Sequence, residues 1–246
     1  MTEQVQELFN CEEFSQRAVD LIATAATAAV TARGRFTLAL TGGNTVQPVY
    51  RHLAAGTGGD ERRLLREHTD YFWGDERLVP HDHPDSNLNL ARRLFLDELR
   101  VSSGHLHPVG IDAVGPVTAA RAYEQELRTF FGGELSPEGL PIFDLILLGL
   151  GPDGHVASLF PGSSALAERQ HWVAMVPPPE LAPQVARVTL TMPVLAQARL
   201  VVVLVSGAER TKLARRISEG EPTTAALPAA RLRPAGRLVW LLAGGG

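Results

Sequence analysis

Residues 145–160 read LILLGLGPDGHVASLF, and two readings compete for them. The apolar run from Leu145 to Leu148 ends in a literal G-x-G-x-x-G formed by Gly149, Gly151 and Gly154. An unbroken apolar run of strand length belongs to a strand buried on both faces, the mark of a parallel sheet. What the glycines serve decides the rest. A dinucleotide fingerprint needs a long helix after its third glycine and an acidic residue at the end of the next strand. Only about one helical turn fits between His155 and the breaker pair Pro161-Gly162, and the next β-rich run, HWVAMV, ends in prolines without a carboxylate. The turn therefore reads as a mount for Asp153 and His155 near the entry of a short helix. An imidazole, with an ordinary pKa near 6.5, is a natural general base at cellular pH, and a neighbouring carboxylate fixes its tautomer. A lone turn histidine is more often satisfied by a carbonyl; the glycine-lined strand end and the adjacent Asp153 favour the catalytic reading.

Outward from this stretch, β-rich apolar runs recur at RFTLALTGG, DYFWGDE, HWVAMV, ARVTLT, RLVVVLVSG and RLVWLLAG. Helical spacing marks Glu12–Ala32, the segment after Asn44, Asn87–Leu99, Val117–Phe131 and Ala208–Ser218, with Asp85 and Ser86 as candidate N-caps for the third and Gly220 with Pro222 closing the last. Strands alternating with helices predict an α/β fold: a mainly parallel sheet with helices on both faces, Rossmann-like in architecture. GLPIF and VPPPELAP read as surface turns, and no repeat or low-complexity linker divides residues 1–246, so a single α/β domain is expected.

The chain has 246 residues, 45% of them hydrophobic, and a formal net charge of −4, so it carries no electrostatic footprint for nucleic acid. The longest apolar run, LVVVLVSG, is far short of the ~20 residues that span a bilayer. Cys11 is the single cysteine, and the first residues show neither a basic nor an apolar leader pattern; a soluble cytoplasmic protein is the expectation. Oligomeric state is left open, a monomer being compatible with the sequence.

In open α/β sheets ligands sit at the carboxyl ends of strands. Thr41, Gly42, Gly43 and Asn44 stand at one such end, where backbone N–H groups before a helix can converge on an anion, although a Gly-Gly turn is equally a tight connection. Asp75, Glu76 and Arg77 crowd another; solvated loop charges are the plain reading, yet an arginine there suits bidentate recognition of phosphate or carboxylate. The stretch HDHPDS places His81, His83 and Asp85 at metal-ligand spacing but lacks the histidine that completes a zinc hydrolase set, so no metal is expected. Lys212, the only lysine, lies in an arginine-rich helix and reads as a surface charge or an anion contact.

Taken in order, TGGNT (41–45), WGDERLVP (73–80) with DSNLNLAR (85–92), LLGLGPDGHVASLFPG (147–162), RVTLTMPVLAQA (187–198) and LPAARL (227–232) resemble the 6-phosphogluconolactonase branch of the glucosamine-6-phosphate isomerase/6-phosphogluconolactonase family. The resemblance runs from about Phe14 to Ala243. It implies hydrolysis of 6-phospho-D-glucono-1,5-lactone to 6-phosphogluconate in the oxidative pentose phosphate pathway, with a sugar phosphate lactone as the small-molecule partner and no cofactor. It places the catalytic histidine on His155, its partner on Asp153, and the strand-end Asp and Arg on Asp75 and Arg77. The phosphate loop of the family usually reads Ser-Gly-Gly-Ser, so Thr41 and Asn44 are departures that keep hydrogen-bonding capacity. Arg210 with Lys212 stands where a lysine is usual. Water attack assisted by His155 follows, with Arg77 and the N–H groups near Gly42 and Gly151 gripping phosphate or steadying the oxyanion. Two alternatives are an isomerase or deaminase, which would carry a carboxylate where Phe160 stands, and a non-catalytic sugar-phosphate-binding regulator, which would not need Asp153 and His155 together.

Overall fold

The computed structural model describes residues 2–56, 58–111 and 115–243. The first half runs β1 (Thr2–Leu8), α1 (Cys11–Arg33), β2 (Phe36–Leu40), α2 (Gln47–Gly56), α3 (Gly59–Glu67), β3 (Thr69–Trp73), β4 (Asp75–Arg77), α4 (Asn87–Ala91), α5 (Asp97–Leu99) and α6 (Pro116–Phe131). The second half runs β5 (Leu145–Gly149), α7 (Ser164–Ala167), β6 (Val173–Val176), β7 (Arg187–Leu190), α8 (Met192–Ala196), β8 (Leu200–Val205), α9 (Ala208–Ser218) and β9 (Arg237–Ala243). A π-helical turn, Arg92–Leu96, joins α4 to α5, so the helix expected over Asn87–Leu99 is continuous but changes pitch.

Local chemistry accounts for the boundaries. At the start of α1, Asn10 Oδ1 accepts the Glu13 N–H at 2.8 Å while Glu13 Oε2 accepts the Phe9 N–H at 3.1 Å, and Gly34, at φ 77°, ends the helix with its N–H on the Val30 carbonyl. Ser86, rather than Asp85, caps α4 by accepting the Asn89 N–H at 3.1 Å.

The main sheet is parallel throughout, in the order β1-β9-β8-β5-β2-β3. Strand alternation divides its side chains between two cores. Ile146, Leu148, Val201 and Val203 pack with Tyr123, Leu127 and Phe131 of α6, whereas Leu145, Leu147, Val202 and Leu204 pack with Phe14, Ile22 and Ala26 of α1 and Val49 of α2. Each such buried aliphatic side chain is worth about 1.5–3 kcal/mol relative to exposure.

Three features depart from the sequence reading. β6 and β7 leave the parallel sheet and pair antiparallel with β4 in a second sheet of three strands, order β4-β7-β6, because apolar strand character does not specify which sheet a strand joins. β1, too polar to stand out, is a strand on the edge beside β9. GLPIF is not a surface turn throughout, since Phe143 is fully buried against Phe72 and Phe131 as the chain dives into β5.

Beside β3, His107 lies flat on Phe72, ring centroids 4.4 Å apart, with Nδ1 2.7 Å from Glu126 of α6 and Nε2 3.6 Å from Asp70. Asp70 also meets His105 Nδ1 at 3.0 Å. Burial opposes the imidazolium, but the two carboxylates outweigh it and raise the His107 pKa.

β2 and β5 are neighbours; the chain after β2 continues to β3 on one side, and the chain after β5, once through β6 and β7 of the second sheet, rejoins the main sheet at β8 on the other. The connections leaving their carboxyl ends therefore part and leave a crevice, the place where open α/β sheets bind ligands.

Candidate active site

A cleft of about 180 Å³ fills that crevice. Thr41 to Thr45 after β2, Asp75 and Arg77 on β4, Gly149 at the end of β5 with Leu150 to Pro152, His155 and Ala157 after it, Arg187 on β7 and Arg210 on α9 line it. Of the residues singled out from sequence, Thr41, Gly42, Gly43, Asn44, Asp75, Arg77, Gly151, His155 and Arg210 meet here, and Asp153 hydrogen-bonds to His155. Lys212 is exposed and is not part of the lining. It stands two residues, about 200° of helical turn, from Arg210.

The His155 mount is built from the turn that follows β5. Asp153 Oδ1 accepts the His155 backbone N–H at 3.2 Å and lies 2.5 Å from Nδ1, so backbone and ring are fixed by one oxygen. Gly154 takes φ 80°, the left-handed conformation the turn requires. Gly151 is a glycine for another reason: a β-carbon there would fall 2.1 Å from His155 Nδ1. The Phe160 ring closes the other side of the imidazole at 4.5 Å. Burial disfavours the Asp153 carboxylate, but the His155 hydrogen bonds and charge outweigh it and hold its pKa below the usual range. With Nδ1–H donated to Asp153, Nε2 is left with its lone pair. The segment after His155 is not the short helix expected; Ala157 sits at φ 49°, an uncommon conformation for a residue with a β-carbon, and Val156 bridges to Leu159.

Opposite the histidine, bonds within the protein shape the 41–45 loop. Tyr50 Oη donates to the Thr41 carbonyl at 2.6 Å and accepts the Thr41 N–H at 3.2 Å. Gly43 takes φ 88°, and Thr45 Oγ1 meets Ser206 Oγ at 2.8 Å, which ties the β2 loop to the β8 loop. Arg210 Nε donates to the Ser206 carbonyl at 2.8 Å.

The third wall is the β4/β7 ladder, whose register sets Arg77 directly across from Arg187. Like charges facing each other across strands repel. Each guanidinium has one bond to a carbonyl, Arg77 Nη1 to Asp85 at 2.7 Å and Arg187 Nη2 to Pro183 at 3.2 Å, yet both Nε atoms are buried without a partner. An anion in the cleft, which both arginines line, would relieve the repulsion. Burial, foremost, lowers the Arg187 pKa.

Asp75 accepts Ser158 Oγ–H at 2.6 Å through Oδ2. Its neighbour Glu76 turns away from the cleft and accepts N–H groups of Arg77, Asn87 and Leu88 at 2.7, 2.7 and 2.8 Å, anchoring the start of α4. Burial pushes the Glu76 pKa up against those bonds.

Arg187, Ser158 and Asn87 escaped the sequence reading as site residues. Arg187 carried a usable signal, an arginine opening an apolar β run, whereas Ser158 and Asn87 look like ordinary turn and cap residues. His81 Nε2 meets the Val109 carbonyl at 3.0 Å and His83 Nδ1 accepts the Asp85 N–H at 3.1 Å. Among the described residues no group of three or more His, Cys, Asp or Glu side chains is arranged to hold a metal ion, and no helix is long and apolar enough to cross a membrane.

Residues 10–240 match the profile of the family described as glucosamine-6-phosphate isomerases/6-phosphogluconolactonase. The chain is 40% identical over 242 residues to a 6-phosphogluconolactonase of Synechocystis, covering 98% of this chain and 96% of that one. It is 39% identical to a human 6-phosphogluconolactonase, with coverage of 86% and 79%. Among solved structures, 6-phosphogluconolactonase from Trypanosoma cruzi superposes with a TM-score of 0.86 at 31% identity, over 99% of this chain and 96% of that chain.

Proposed function

The chain belongs to the glucosamine-6-phosphate isomerase/6-phosphogluconolactonase family, and from that premise we propose that it hydrolyses 6-phospho-D-glucono-1,5-lactone to 6-phosphogluconate, the lactone-opening step of the oxidative pentose phosphate pathway. One observation carries the reading: a His155–Asp153 pair at 2.5 Å faces an arginine-lined cleft across from a preformed glycine loop. The pair supplies a base and the opposite wall supplies charge for a phosphate.

In the proposed reaction His155 Nε2 takes a proton from water as the oxygen attacks the lactone carbonyl, and Asp153 holds the ring and supports the imidazolium that forms. The ring C–O bond then breaks, with the proton passing to the departing alkoxide, and the product leaves as a carboxylate. Thr41, Gly42, Gly43 and Asn44 with Arg210 supply donors for the phosphate. Arg77 and Arg187, which both line the cleft, supply guanidinium charge for a second anionic group, the developing oxyanion or a phosphate oxygen. Phe160 against the imidazole speaks for hydrolysis over isomerisation, because a ring-opening relay would place a carboxylate there.

The test is an assay on freshly generated phosphorylated lactone with a pH indicator, since each turnover releases a proton. A rate well above spontaneous hydrolysis is expected. No rate above background would overturn the proposal.

A further inference from the structure

Asn87 touches three parts of the site at once. Its backbone N–H is held by Glu76 at 2.7 Å, and its Nδ2 donates to the Asp75 carbonyl at 2.8 Å and lies 3.5 Å from Asp75 Oδ1. The carboxamide also lies against the anion loop: a β-carbon at residue 42 would fall 1.8 Å from Asn87 Oδ1 and 2.5 Å from its Cγ. Gly42, unlike Gly43, does not have a positive φ, so contact with Asn87 and not backbone conformation is what demands a glycine at 42. Asn87 is 1% exposed and its Oδ1 is buried with no hydrogen-bond partner. A leucine has nearly the same shape and would leave no bare acceptor, but it could not donate to Asp75.

We propose that Asn87 is a positioning residue that couples the Asp75 strand end to the 41–45 loop, its carboxamide setting the shape in which that loop receives the phosphate. The coupling rests on the lactonase reading above. Glu76 is the anchor of the device: by accepting the first N–H groups of α4 it fixes where Asn87 stands. The carboxamide then acts as a spacer against Gly42 and as a tie to Asp75, so the two walls cannot shift independently.

The test is a double-mutant cycle on the full chain, read as KM for the phosphorylated lactone and, in parallel, as Kd for inorganic phosphate by calorimetry. Gly42→Ala alone is expected to raise both by about tenfold or more, because the methyl group lands on the Asn87 carboxamide. In an Asn87→Ala background the same change is expected to raise them by about threefold or less. An equal penalty in both backgrounds overturns the proposal. If Gly42→Ala does not fold, Asn87→Ala and Asn87→Leu decide: the alanine, which loses both the spacer over Gly42 and the tie to Asp75, should raise KM about tenfold, and the leucine, which keeps the spacer but cannot donate to Asp75, should raise it about threefold. Equal KM values in those two variants overturn it. Absence of lactonase activity in the wild type would overturn the function instead, while the phosphate cycle would still decide the coupling.

Discussion

Arginines gather at both ends of the parallel sheet, and the two gatherings are wired differently. At the amino ends of β2, β5 and β8, Asp144 accepts Arg33 and, at 3.3 Å, Arg199 on one oxygen, and the N–H and Oγ1 of Thr37 on the other at 2.9 and 3.1 Å. Arg35 pairs with Glu134 at 3.1 Å. At the carboxyl ends, Arg77 and Arg187 confront each other, their bonds are to neutral carbonyls, and both Nε atoms are unpaired. One end has its charges closed internally and holds the sheet together. The other sets two cations face to face at the lining of a cleft, a repulsion that a bound anion would relieve.

The sharpest break between the ends should come from His155→Asn, which keeps size and hydrogen bonding but cannot take a proton. A fall in kcat of about 10²–10⁴ with little change in unfolding midpoint is expected, and a variant with near wild-type kcat would place the base elsewhere, Asp75 being the next candidate. Next in size, Arg187→Leu should lower kcat/KM on the phosphorylated lactone by about a hundredfold, the worth of one to two charge-assisted hydrogen bonds, and leave the melting temperature unchanged or higher. A large loss of melting temperature would show that Arg187 holds structure as Arg33 and Arg199 do.

The mirror experiment is Asp144→Ala, which strips Arg33, Arg199 and Thr37 of their acceptor. Because Arg33 and Arg199 are partly exposed, about 2 kcal/mol of stability should be lost, less than for a fully buried pair, with kcat/KM preserved. Denaturant melts beside kinetics check both halves, and a kinetic defect without a stability loss would erase the distinction between the ends.

The smallest effect lies at the side of the sheet. His107 has a pKa raised above its ordinary 6.5, so its charge contributes stability that is complete below that value and is lost as pH rises through the folded-state value. Chemical melts across neutral to mildly alkaline pH should show stability falling faster in wild type than in His107→Gln. Parallel profiles would deny the imidazolium a role between Asp70 and Glu126.

Seven apolar runs became strands because a strand buried on both faces writes itself as an unbroken hydrophobic word, and the polar residues after such words became the cleft because the fold puts ligands there. β1 stayed hidden because an edge strand with no buried residue needs no such word. The destination of β6 and β7 was hidden for a different reason: pairing partners are chosen by distant chain segments. Arg187 offered a signal but not its partner, since the register that sets it against Arg77 exists only after folding, and Asn87 was illegible as a site residue because only the folded chain lays α4 over Gly42.

The crowding at Gly151 limits the order in which this chain could change over generations. While His155 is present, any side chain at 151 would collide with its imidazole, because even the first carbon would stand 2.1 Å from Nδ1. Once residue 155 is small, the three nearest obstacles to a β-carbon at 151 are gone. A lineage drifting away from hydrolysis could therefore give up the histidine first and the glycine afterwards, but the reverse route passes through an intermediate whose base is displaced. Descendants with a side chain at 151 and a working histidine at 155 would have to have moved the backbone between them.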